Sequence, residues 1–137
     1  MAINNITEHF TLDELACKGI RASCGGCKGL PITPLLYFHM DRLEQLRTDL
    51  DCPLIITSGH RCDSHNAYCG GASNSMHLHL ATDVRAPTRD DWVQTMDQVH
   101  ELAIDIGFGG IGLYDTFIHL DSRDHLNRGV ARWNNRT

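Results

Sequence analysis

Side chains capable of metal and acid–base chemistry cluster in two stretches of this chain. His60, His65, His77 and His79 are followed by Asp83, and His119 and Asp121 come later. Side chains alternate along an extended strand, so His119, Asp121 and Arg123 would share one face. Asp83 on a neighbouring strand would meet His119 at a cross-strand distance of about 5 Å. Two histidines and a carboxylate gathered in this way match a catalytic zinc site, which takes three protein ligands and leaves one position for water. Histidines hydrogen-bonded within strands produce the same spacing, so the pattern alone leaves a structural role open.

The cysteines form a second group. Cys24-Gly25-Gly26-Cys27 is a C-x2-C knuckle, Cys17 precedes it, and Cys62 directly follows Arg61. Four such thiols suit a small structural zinc site that staples the N-terminal loop beside the polar loop after it. Disulfides and plain buried thiols are the alternatives. Cys52 and Cys69 belong to no motif. Among the histidines, His9, His39, His100 and His125 are expected to be incidental.

With 137 residues, the chain is expected to form a single domain over 1–137, since domains commonly run about 100–150 residues. Hydrophobic residues make up 42% and charged residues 21%, which is the balance of a folded globule rather than a disordered tail. The net charge of −5 comes without any basic block, which disfavours a nucleic-acid groove. Met1 to Thr11 lacks the basic start and apolar run of a signal peptide. No stretch approaches the ~18 apolar residues of a spanning helix. The expectation is a monomer made in the cytoplasm, with no nucleic-acid or membrane partner.

Several elements must position these groups. Thr11 and Glu14 read as a capping box that opens a short helix. Lys18 to Pro31 is rich in glycine and reads as a loop. Thr33-Pro34 starts an amphipathic helix whose apolar face is Leu35, Leu36, Met40, Leu43, Leu46 and Leu50. Leu54 to Thr57 reads as a buried strand, Ser58 to Met76 as a long polar loop, and Leu80 to Ala86 as a second strand. Thr88 to Asp91 caps another helix, with Trp92, Val93, Met96, Val99, Leu102, Ala103 and Ile106 on its apolar face. Ile111 to Tyr114 and Phe117 to Ser122 form a hairpin turning at Asp115-Thr116. This order predicts an α+β fold, a mainly antiparallel sheet flanked by helices.

Taken in sequence, a series of fragments carries a further signal. They are His9-Phe10-Thr11-Leu12-Asp13-Glu14-Leu15, Thr57-Ser58-Gly59-His60-Arg61, His65-Asn66-Ala67, Gly70-Gly71-Ala72-Ser73-Asn74-Ser75, Gly109 to Tyr114, Phe117 to Arg123, and Ala131-Arg132-Trp133. With them the chain resembles the M15 family of zinc D-Ala-D-Ala carboxypeptidases and peptidoglycan peptidases, particularly its small phage-type branch. The resemblance implies the hedgehog/D-Ala-D-Ala carboxypeptidase-like fold and one catalytic Zn2+ held by His77, Asp83 and His119. It implies that Arg61 steadies a substrate carboxylate or an oxyanion, a task suited to a planar, always-charged fork. The implied substrate is a peptide of the cell wall. The implied setting is phage lysis, reached through holin-type release or as part of a virion.

Two departures from the family pattern matter. Many relatives carry an acid three residues before the last histidine ligand, where this chain has Thr116. Asp121, about 6.6 Å along the strand from His119, is then the first choice for the general base and Asp115 the second. A role for Asp121 in orienting His119 is the rival. The stretch between His77 and Asp83 is also one residue shorter than in most relatives and lacks their glycine. His77 is the expected first ligand, with His79 as the alternative.

Overall fold

The computed structural model describes residues 5–18 and 30–137. Helix α1 (Leu12–Leu15) opens on the capping box, with the Thr11 side chain accepting from Glu14 N–H and the Glu14 carboxylate accepting from Thr11 N–H. Helix α2 (Pro34–Leu50) starts at the Thr33 cap with proline in its first turn. The six apolar residues expected on its inner face are all buried. Helix α4 (Arg89–Ile106) begins where Thr88 accepts from Asp91 N–H. Its buried stripe is narrower than the periodicity predicts: Trp92, Val99 and Ala103 are inside, whereas Val93 is 62% exposed.

Strands β1 (Ile55–Ser58), β2 (Ala81–Arg85), β3 (Gly110–Leu113), β4 (Ile118–Asp121) and β5 (Ala131–Asn134) form one sheet in the order β1-β2-β4-β3-β5. The first three pairings in that order are antiparallel, and β3–β5 is parallel, so the sheet is mixed. Three features differ from the sequence reading. The segment read as a buried strand is β1, at the sheet edge, with Ile55 exposed and Ile56 buried. Within the polar stretch, Asp63–Tyr68 forms helix α3. Asn66 is its one buried residue, so it has no apolar stripe for periodicity to detect. Finally β5, Ala-Arg-Trp-Asn, lacks the β-branched residues that mark a strand.

The sheet has two distinct faces. Thr82, Val84, Ile118 and Leu120 turn toward the core, which also takes in Leu36, Met40 and Leu43 of α2 and Trp92, Val99 and Ala103 of α4. Asp83, His119 and Asp121 alternate with them and point to the opposite face. One strand period therefore gives β2 and β4 a hydrophobic back and a polar front.

Candidate metal centre

The antiparallel register pairs Asp83 with His119 across β2 and β4. His77 comes from a short 3-10 turn, Met76–Leu78, held by its Ser75 cap. Arg61 N–H donates to His77 C=O at 2.7 Å, which ties this turn to the segment after β1. His77 Nε2 lies 3.3 Å from Asp83 Oδ1, and His119 Nδ1 lies 3.0 Å from the same oxygen. All three residues are buried. His77, Asp83 and His119 each offer one ligand atom, mutually within 4.8 Å.

The outer nitrogens decide what the inner ones present. His77 Nδ1 is 2.6 Å from Gly59 C=O. A carbonyl only accepts, so this nitrogen carries a proton, and in the neutral ring Nε2 turns a lone pair inward. His119 Nε2 is 2.7 Å from Asp121 Oδ2. Burial pushes the Asp121 carboxyl up, but hydrogen bonds from His119 and Arg123 outweigh it and hold the group well below the usual carboxylate range. As an anion Asp121 accepts, and Nδ1 of His119 is left facing Asp83 when the ring is neutral. Asp83 behaves similarly: burial raises it, yet its hydrogen bonds with His119 and His77 hold it at about 2. Burial lowers the His119 imidazole, and its hydrogen bonds to Asp121 and Asp83 more than reverse that, so its pKa is raised.

A divalent metal fits this arrangement. Bonds of about 2.0–2.2 Å at tetrahedral angles put ligand atoms roughly 3.2–3.5 Å apart, close to the 3.3 and 3.0 Å that separate His77 Nε2 and His119 Nδ1 from Asp83 Oδ1. Without a metal, the proton that His119 retains puts a positive charge between Asp83 and Asp121, and Arg123 also pairs with Asp121.

Neighbouring residues complete the front face. Gly112 lies beside His119 in the register and beside Trp133 on the other side. A Cβ at Gly112 would sit 2.2 Å from the Trp133 ring, so the missing side chain is what lets the indole lie over β3, with its centroid 5.2 Å from that of His119. Trp133 Nε1–H donates to the Tyr114 hydroxyl at 2.9 Å, and Tyr114 stacks on Phe117. These aromatic rings and Arg61 border a cleft of about 420 Å³ that opens onto His77, Asp83 and His119.

Of the remaining candidates among the described residues, Arg61 stays on the cleft wall and the others do not. Arg61 has Nη2 3.9 Å from Asp83 Oδ2 and donates through Nε to Ser58 Oγ at 3.3 Å. Asp121 is fully buried, off the cleft wall, and gripped by Arg123 through Nε at 2.9 Å and Nη2 at 2.8 Å. Asp115 is exposed and accepts from Thr137 N–H and Oγ1–H; with Thr116 it borders a smaller, separate cavity. The His79 side chain is exposed, while its C=O accepts from His60 Nδ1 at 3.1 Å. His65 rests against Cys69 and Tyr68. Cys17 and Cys62 are half-buried, whereas Cys24 and Cys27 lie outside the described residues, and with them the proposed four-cysteine zinc site.

Sequence reasoning passed over two residues. Trp133 sits on a strand without a strand signature. His39, expected to be incidental, is buried with Nδ1 2.8 Å from Ser122 Oγ and Nε2 3.0 Å from Thr82 Oγ1. It occupies the apolar stripe of α2, one position before Met40, and a histidine placed there was the available signal.

Among proteins with family-level descriptions, the sequence matches the model described as Peptidase M15 over residues 8–121. No curated protein matches it.

Proposed function

The chain belongs to the peptidase M15 family, and from that premise we propose that it is a zinc-dependent peptidoglycan peptidase that hydrolyses a peptide bond of the wall stem peptide or cross-link. Members of this family are zinc peptidases that act on peptidoglycan in general. In this reading His77, Asp83 and His119 hold the metal. The observation that carries it is the pair of outer hydrogen bonds, to Gly59 C=O and Asp121, which aim one nitrogen of each imidazole at Asp83. Zinc held there supplies a Lewis acid for a scissile carbonyl and makes a nearby water acidic near neutral pH.

The chain's own groups divide the remaining tasks. Arg61, on the cleft wall, offers its fork to a substrate carboxylate or a developing oxyanion. Asp121 acts through His119: it fixes the tautomer and ring orientation and raises the basicity of Nδ1. That assignment replaces general base as its first role, because both of its oxygens are engaged and neither reaches the cleft. Tyr114, Phe117 and Trp133 provide an apolar wall for the peptide. Release of the enzyme in phage lysis, or its carriage on a virion, is the setting that accounts for a small wall-directed peptidase of this branch.

A second reading has a specific observation in its favour. Asp83 is the only carboxylate bordering the cleft, and residues 1–4 and 19–29 contain neither Asp nor Glu. A separate carboxylate base is therefore missing from the wall, as a zinc-binding recognition module without catalysis would have it. Digestion of purified cell walls by the zinc-loaded protein, against a His119→Ala control, separates the two. New muropeptides from the wild type alone support hydrolysis. Identical, unchanged patterns from both proteins, with zinc bound only by the wild type, support the module.

A further inference from the structure

We propose that Arg128 is a specificity-determining residue that binds a carboxylate of the peptide in the cleft, so that the preferred ligand is an acidic peptide; the inference rests on the peptidase reading for what occupies the cleft. Among the described residues, three arginines border the cavity, Arg61, Arg123 and Arg128, and their surroundings differ. Arg123 forms a two-armed pair with Asp121. Arg61 has Asp83 at 3.9 Å. Arg128 has no carboxylate: Nη1–H points to the Met76 thioether at 3.1 Å, and Nη2–H donates to Asn74 C=O at 3.0 Å. A thioether is a weak acceptor and a peptide carbonyl is neutral, so no protein carboxylate neutralises this exposed guanidinium, and several of its five N–H donors remain available to a ligand.

Among the described residues Arg47, Arg85, Arg89 and Arg132 likewise have no carboxylate within ion-pair reach, but of these arginines only Arg128 borders the cleft. The chain has 17 acidic residues against 12 Lys and Arg, yet none of the described carboxylates pairs with this guanidinium, and the residues outside the described set contain no acid. The backbone holds the side chain in place. Asn127 (φ 58°) and Gly129 (φ 75°) flank Arg128 in left-handed conformations, and Arg128 N–H closes the turn on Arg123 C=O at 2.9 Å. The tight turn projects the guanidinium across to Asn74 and Met76, directly before the metal-site residue His77. A planar fork anchored at two points, with its outer donors free, is suited to a carboxylate. Two peptide groups could supply it, the side chain of an acidic residue or the C-terminus.

The test uses the full-length, zinc-loaded protein and four synthetic pentapeptides ending in D-Ala-D-Ala. In these an internal glutamate is free or amidated, and the C-terminus is free or amidated. Calorimetric titration reads binding and chromatography reads cleavage. Wild-type protein is expected to bind the peptide with one of the two carboxylates about 10-fold more tightly than its amide counterpart, the scale of a hydrogen-bonded charge pair. Arg128→Gln removes that preference while keeping its zinc content, and Arg136→Gln, which deletes an equal charge outside the cleft, retains it. The amide pair that matters identifies the source of the carboxylate. Equal binding of acid and amide forms by the wild type, or an unchanged preference in Arg128→Gln, overturns the inference. A preference lost in Arg128→Gln without cleavage by any form supports the inference and counts against the peptidase reading; cleavage without any preference does the reverse.

Discussion

His77 and His119 reach one point in space through different nitrogens, Nε2 and Nδ1, because an acceptor oxygen holds the opposite nitrogen of each ring. The choice of nitrogen is therefore a property of Gly59 and Asp121 as much as of the histidines. Asp121→Asn separates the two roles considered for that residue. If it orients His119, zinc affinity falls about 10–100-fold, measured by competition with a chromophoric chelator, and activity falls in step. A general base would instead leave affinity intact while kcat collapses. Trp133 depends on what Gly112 lacks. Gly112→Ala places a methyl 2.2 Å from the indole, and crowding of this kind costs about 1–3 kcal/mol. Denaturant unfolding is expected to register that loss, and quenching or shift of indole fluorescence to report the displaced ring. Unaltered stability and fluorescence would mean that the ring does not pack there.

At the scale of elements, α2 and the sheet are joined by one polar contact inside an apolar interface. His39 bridges Thr82 of β2 and Ser122 just after β4, each next in sequence to a carboxylate on the opposite face. Burial pushes the His39 pKa down to about 3, whereas the unfolded chain titrates near 6.5. Between those values the unfolded state binds the additional proton. Stability from this group is thus intact above about pH 6.5 and lost as pH falls toward 3, at about 1.4 kcal/mol per pH unit. The His39→Gln protein lacks this term, so its unfolding free energy should decline less between pH 6.5 and 5 than that of the wild type. Parallel pH profiles would contradict the assignment. Capping and apolar periodicity made α1, α2 and α4 readable from sequence. Helix α3 and strand β5 were not readable, since one is polar almost throughout and the other is a half-exposed edge.

For the whole molecule, the front face brings His77, Asp83 and His119 together around one point where a bound cation would join β2, β4 and the Met76–Leu78 turn, so metal and fold should be coupled. Zinc at 100 times its dissociation constant is expected to add about 2.7 kcal/mol to stability, seen as a rise in Tm that chelation reverses and that His119→Ala abolishes. Because the His119 pKa is raised, protons compete with the metal, and zinc affinity should weaken as the solution is acidified. A Tm indifferent to zinc would argue against occupation of this centre. No helix among the described residues is long and apolar enough to cross a membrane. By itself, the sequence determined which residue types were available and how strands and helices alternate, because capping, periodicity and strand alternation are local properties. It also placed Asp83, His119 and Asp121 on strands whose period of two turns them to one face. Only the tertiary structure decided that His77 rather than His79 joins Asp83 and His119, that Asp121 is withdrawn behind His119, and that Arg128 reaches Asn74 and Met76. Those outcomes depend on register between strands and on contacts between residues far apart in the chain, and local spacing carries no information about either.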